Sequence, residues 1–179
     1  MMLFPSLPVQ PMDYFEKMYH GQGYQRIAGV DEAGRGPLAG PVVAAAVILP
    51  EEGIGQKLFD SKQIPFRKRE ELYEIILSKA LGVGIGTVCQ EEIDLLNILR
   101  ATLKAMVLAV ESLPLSPDFI LIDGNQTLHF PVPQKSIRKG DQICNSIAAA
   151  SIVAKVTRDR MMFECHQKYP QYNFAKHKG

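Results

Sequence analysis

Four carboxylates stand where apolar segments give out. Asp31 and Glu32 follow the apolar residues that end in Gly29-Val30, and a glycine-rich stretch, Ala33-Gly-Arg-Gly-Pro-Leu-Ala-Gly-Pro41, comes after them. Asp123 closes Phe119-Ile-Leu-Ile-Asp, with Gly124 permitting a sharp exit, and Asp141 follows Gly140 at the head of a long helical pattern. Adjacent carboxylates repel one another, and burying them is costly unless a cation compensates. Taken singly, an Asp-Glu pair is commonly a surface pair, and an aspartate at a helix start can serve merely as its cap. Repetition changes that reading, because three element ends offering acidic oxygens at one end of a sheet make a site for hard cations. A carboxylate at a helix N-terminus also stays ionised, as a metal ligand must. The candidate ligands are all carboxylates, and oxygen-only ligands point to Mg2+ or Mn2+ rather than zinc.

Positioning such a cluster takes strands that end together. Residues 26–30 form a short strand candidate running into Asp31, and residues 42–49 a second, apolar throughout and so expected to be buried on both faces. Residues 81–89 alternate Val83, Ile85 and Thr87 with glycines, the pattern of a strand against which another backbone packs closely. Residues 119–122 and, more weakly, 133–138 complete five strands. Helical spacing covers residues 67–80 (Leu72, Ile75, Ile76, Lys79), 97–113 (Ile98, Thr102, Met106, Ala109, Leu113) and 142–168 (Ile143, Ile147, Ala150, Ala154). The small residues of the last pattern let that helix sit close to a sheet. Crossovers through helices require some parallel strands, while strands one and two can pair as a hairpin. The expectation is an α/β fold, a mixed sheet with helices on both faces.

A chain of 179 residues suits one compact domain. Its 20 basic and 19 acidic side chains give a formal charge of +1, so nucleic acid could be bound only through locally concentrated positive charge. Cys89, Cys144 and Cys165 are far apart and odd in number, which argues against a disulfide framework or a structural zinc and for reduced thiols in a cytoplasmic protein. The proline-broken start lacks the features of a signal peptide, no apolar run is long enough for a membrane span, and residues 1–22 are expected to form a loosely ordered arm ahead of a domain at 23–179. Gly34-Arg-Gly-Pro-Leu-Ala39 does fit the dinucleotide fingerprint G-x-G-x-x-[GA]. That fingerprint must open a helix, whereas here Pro41 and a β-branched apolar run follow, beside an acidic pair that would repel phosphate.

Six segments, in order, carry a resemblance to a known family. They are Gly29-Val-Asp-Glu-Ala-Gly-Arg-Gly-Pro-Leu-Ala-Gly-Pro41, Asp60-Ser-Lys62, Leu121-Ile-Asp-Gly124, Gly140-Asp141, Ala149-Ala-Ser-Ile-Val-Ala-Lys-Val-Thr-Arg-Asp159 and Lys168-Tyr-Pro-Gln-Tyr-Asn-Phe-Ala-Lys-His-Lys-Gly179. Together they resemble ribonuclease HII. The resemblance implies a ribonuclease H-like fold, a five-stranded mixed sheet flanked by helices, and puts the family's catalytic acids on Asp31, Glu32, Asp123 and Asp141. It implies an endonuclease that cuts the RNA strand of RNA–DNA hybrids, and duplex DNA at embedded ribonucleotides, leaving 5′-phosphate and 3′-hydroxyl ends. Phosphodiester hydrolysis of this kind is served by two divalent ions about 4 Å apart, which activate water, stabilise the pentacovalent phosphorus and neutralise the leaving oxygen. RNA differs from DNA at every sugar only by the 2′-hydroxyl, and the resemblance gives its sensing to Gly34-Arg35-Gly36, whose main chain can approach the sugar whatever the base. Arg35 is placed to grip a phosphate, as the family places contacts near Lys62. Lys155 and Arg158 are further candidates for phosphate contact, against the plain alternative that Lys155 pairs with Asp159 one helical turn away. His177 falls in a family motif near the substrate. A non-catalytic nucleic-acid-binding module on the same fold is the rival reading, opposed by the presence of all four acids, and a monomer is the default expectation. The family's pattern continues past His-Lys-Gly with a tyrosine that packs on the sugar and then with C-terminal helices. The resemblance therefore carries over the acids but neither that tyrosine nor the helical extension, a chain expected to be cut short inside the motif.

Overall fold

Five strands, β1 (Ile27–Ala33), β2 (Val42–Ile48), β3 (Gly82–Val88), β4 (Phe119–Asp123) and β5 (Gln134–Ile137), hydrogen-bond in the order β3-β2-β1-β4-β5. They come from a computed structural model that describes residues 11–56, 58 and 64–179. β1 and β2 form the expected antiparallel hairpin, β2 and β3 are also antiparallel, and β4 runs parallel to both β1 and β5. The sheet is mixed, as anticipated.

β2 explains the layering. All seven of its residues are buried, so apolar side chains leave both faces and both need cover. Ala45 and Val47 pack against the small residues of the helix Asn145–Lys168 and against Leu72, Tyr73 and Ile76 of the helix Phe66–Lys79. Val42, Ala44 and Ala46 pack on the other side against Ala101, Ala105, Met106 and Ala109 of the helix Ile98–Glu111. Glycines in β3 bring that last helix in as close as expected: a Cβ on Gly84 or Gly86 would stand 2.1 Å from a carbonyl oxygen of Ala109 or Ala105. Including three shorter ones, the helices in chain order are α1 (Tyr14–His20), α2 (Phe66–Lys79), α3 (Gln90–Leu96), α4 (Ile98–Glu111), α5 (Asn145–Lys168) and α6 (Phe174–His177). The three cysteines are free.

Two expectations are corrected. The arm foreseen over residues 1–22 is helical from Tyr14 to His20 and packed: Tyr19 stacks on Phe119 at 3.8 Å between ring centroids, and Phe15 joins the cluster around Ile27, Leu121 and Ile147. The long helix, read as starting at 142, starts at Asn145. Ahead of it Gly140–Gln142 forms a separate 3-10 turn, and Cys144, extended at φ −144° and buried, breaks the path between them. The cap of α5 is Glu16 from α1, whose Oε1 accepts the Ser146 N–H at 2.8 Å, the Ser146 hydroxyl at 2.9 Å and the Cys144 thiol at 3.1 Å.

Candidate active site

The register of two parallel strands sets the first two acids side by side. β1 and β4 pair Val30 with Ile122, so the next residue on each strand is Asp31 and Asp123. Asp31 points to the α5 side, and Gly29, two residues earlier on the same face, decides how near α5 comes. A Cβ there would lie 2.1 Å from the Ser146 carbonyl carbon and 2.4 Å from the Ile147 nitrogen, so only glycine admits the helix. That approach lets the Ser151 side chain hydrogen-bond Asp31, which is 5% exposed. Ser151 lies within a motif noted in the sequence but drew no role there; a hydroxyl on an otherwise apolar helix face is the only signal it gives.

The third strand of the parallel set brings Asp141. β5 ends opposite Asp123, and the turn after it donates the Gly140 N–H to Asp123 Oδ1 at 2.7 Å, which fixes the neighbouring, buried Asp141 beside the same strand end. A cleft of about 310 Å3 opens over Asp31, Glu32 and Asp123, walled by Gly34-Arg35-Gly36, Ser151, Lys155 and Arg158. Asp141 is not in its wall.

Electrostatics mark this cleft as short of positive charge. Burial first, then the charges of Glu32 and Asp123, push the Asp31 carboxyl well above the ordinary range, against the hydrogen bonds from Ser151 and from the Glu32 N–H at 2.7 Å. Glu32 is raised too, by burial and by Asp123, and is held back by Arg35, whose Nη1 donates to Oε1 at 3.2 Å. As the side chains stand, no three carboxylate, imidazole or thiol groups among the described residues are close enough to share one ion. The donor set nonetheless fits a hard divalent ion, being all oxygen, with a buried carboxylate opposed by two others and one of them, Glu32, neutralised only by a half-exposed arginine.

The other expected site residues divide. Gly34-Arg35-Gly36 lines the cleft beside Asp31 and Glu32. Lys155 lines the cleft and is paired with Asp159, the pairing set out as the plain alternative, and Asp159 also takes Arg69 at 3.3 Å. Arg158, expected as a phosphate contact, lines the cleft but is only 2% exposed as a residue, and its guanidinium donates to three backbone carbonyls. His177 is outside the cleft wall, its Nε2 2.8 Å from the Tyr172 carbonyl oxygen and its Nδ1 accepting the Gly179 N–H at 3.1 Å. Lys62, with Asp60 and Ser61, lies outside the described residues.

Comparison with known proteins agrees with this architecture. The family model for ribonuclease HII matches residues 28–179. Ribonuclease HII of Syntrophus aciditrophicus is 55% identical over 168 residues, which cover 94% of this chain and 79% of that protein. The Geobacter metallireducens ribonuclease HII is 52% identical over 177 residues, 99% of this chain and 83% of the relative. Among solved structures, ribonuclease H2 from Pyrococcus horikoshii superposes with a TM-score of 0.71 at 31% identity, over 80% of this chain and 77% of its own.

Proposed function

Because the chain belongs to the ribonuclease HII family, and is therefore an endonuclease of the ribonuclease H type, we propose that Asp31, Glu32, Asp123 and Asp141 are its catalytic acids. Their substrate is the RNA strand of an RNA–DNA hybrid, or a ribonucleotide embedded in duplex DNA. The four acids hold two divalent cations, Mg2+ or Mn2+, which when bound supply an activated water and neutralise charge on phosphorus and on the leaving 3′-oxygen. Asp31, fixed by Ser151 and the Glu32 N–H, is the rigid member of the set, and Glu32 must exchange its bond to Arg35 for the cation. Arg35, freed by that exchange and half exposed, is then available to a substrate phosphate. Main-chain groups of Gly34-Arg35-Gly36 read the 2′-hydroxyl, so cutting is indifferent to base and restricted to ribose. We place the enzyme in the cytoplasm as a monomer; no helix among the described residues is long and apolar enough to cross a membrane.

The observation that carries this reading is the adjacency of buried Asp31 and half-buried Asp123 on parallel strands, with Glu32 and the Gly34 turn completing the same cleft. Its test is cleavage of a DNA duplex containing one ribonucleotide, with Mg2+ or Mn2+ against EDTA. Cutting is expected only with metal and only at the ribonucleotide. Cutting in EDTA, or equal cutting of an all-DNA duplex, removes the proposal.

A further inference from the structure

Arg158 belongs to α5, yet its three hydrogen bonds run to the loop after β1 and to Lys178. Its Nε donates to the Pro41 carbonyl at 2.9 Å, its Nη2 to Ala39 at 2.9 Å and its Nη1 to Lys178 at 2.8 Å. Three carbonyl oxygens around one guanidinium satisfy a charge that would be expensive to bury alone. The flanking glycines are shaped to this arrangement. Gly34 has φ +109°, and a Cβ there would lie 2.6 Å from Arg158 Nε and 2.5 Å from the Pro41 oxygen. Gly179 also has φ +109°, and a Cβ on it would come within 2.3 Å of the Ala39 oxygen. One side chain thus hydrogen-bonds the 39–41 end of the loop that contains Gly34-Arg35-Gly36, packs closely against Gly34 at its other end, and seats Lys178 beside it.

We propose that Arg158 is a positioning residue: it sets the distance of the Gly34-Arg35-Gly36 turn from Asp31 and couples that turn to residues 177–179, so that ribose is read in register with the acids. The inference rests on the reading of this turn as the ribose sensor. A lysine carries the same charge but places a single ammonium where a planar fork now spans three acceptors, so Arg158→Lys keeps the charge and loses the span.

The test is equilibrium binding, in Mg2+ and on an Asp31→Asn background that prevents cleavage, of an RNA–DNA hybrid and of a DNA duplex of the same sequence. With Arg158→Lys, affinity for the hybrid is expected to fall about tenfold while affinity for the DNA duplex holds, since only the ribose-reading bonds are misplaced. Gly179→Ala keeps the arginine but crowds the Ala39 oxygen and, at 3.2 Å, Arg158 Nη2, and it is expected to shift the same ratio in the same direction; should Arg158→Lys melt below the assay temperature, this variant decides alone. Equal weakening for both duplexes, or an unchanged hybrid preference in the folded variants, overturns the positioning role. Absence of any hybrid preference before substitution at Arg158 instead overturns the ribose-sensing reading, and the inference with it.

Discussion

Asp31 is a charge the fold tolerates under protest, and that makes it a stability site as well as a proposed catalytic one. Its carboxyl is raised by burial and by the charges of Glu32 and Asp123, and Glu32 is raised with it. A carboxyl whose folded-state pKa exceeds its unfolded value binds more protons folded than unfolded, so it favours folding at low pH and loses that advantage as pH rises through the folded value. In EDTA, the wild-type melting temperature should therefore decline as pH climbs from the ordinary carboxylate range, about 4, toward neutrality and beyond. Asp31→Asn should flatten that decline and melt higher than wild type at neutral pH, each kcal/mol of relieved crowding raising the midpoint by roughly 2–4 °C. The amide can still accept the Glu32 N–H, so the local geometry survives. Cleavage with Mg2+ should drop by about 100- to 1000-fold or more. Calorimetric melts across pH with and without metal check the first claim, and a variant that melts many degrees lower in EDTA would make Asp31 a structural residue.

At the scale of elements, what was legible in the sequence is what repeats. β2 announced itself by an unbroken apolar run, β3 by its glycine alternation, and α2 and α4 by three- and four-residue steps, because each buries a continuous face. α1 and α3 did not, being seven residues long with no fully buried member and hence no period to read. The start of α5 was misplaced for a different reason: its cap comes from Glu16, 130 residues away in the chain, and no local signal reports a partner at that distance. The same tertiary contact was invisible when residues 1–22 were read as an arm. Asp31, Glu32 and Asp123 could be read from strand ends, while the role of Arg158 could not, since a basic residue on a helix gives no hint that a loop will wrap it. Glu16→Ala leaves the Ser146 N–H and hydroxyl without their acceptor at a buried helix start, a loss of about 1–3 kcal/mol. Urea titration should show it as a lower midpoint at unchanged slope, and Glu16→Gln, which keeps an acceptor oxygen, should recover most of it. Equal stability of Glu16→Ala and wild type would mean that water caps α5 just as well.

Over the whole molecule, charge sets how metal and duplex depend on one another. With 20 basic and 19 acidic side chains the protein has no bulk attraction for a polyanion, and the cleft proposed to receive a phosphate is walled by Asp31, Glu32 and Asp123. The cations described in its wall already have partners: Lys155 has Asp159, Arg158 has backbone carbonyls, and Arg35 has Glu32 within the cleft itself. On the proposed reading, a phosphate approaching these acids without metal would meet repulsion, whereas a divalent ion held by them would attract it and leave Arg35 available to the phosphate. Metal and hybrid are thus expected to bind with positive coupling, and linkage requires the two to strengthen each other by the same factor, about 5- to 150-fold for coupling of ordinary size. Titrating Mg2+ into the Asp123→Asn protein, which retains the fold's other acids, with and without saturating hybrid would measure that factor from one side; titrating hybrid with and without Mg2+ would measure it from the other. The two factors should agree, and both should shrink in Arg35→Ala, where the metal no longer frees a cation for the phosphate. Metal affinity unaffected by hybrid would mean that the phosphate does not reach the acids, and the cleft would then have to be read as a cation site apart from the substrate path.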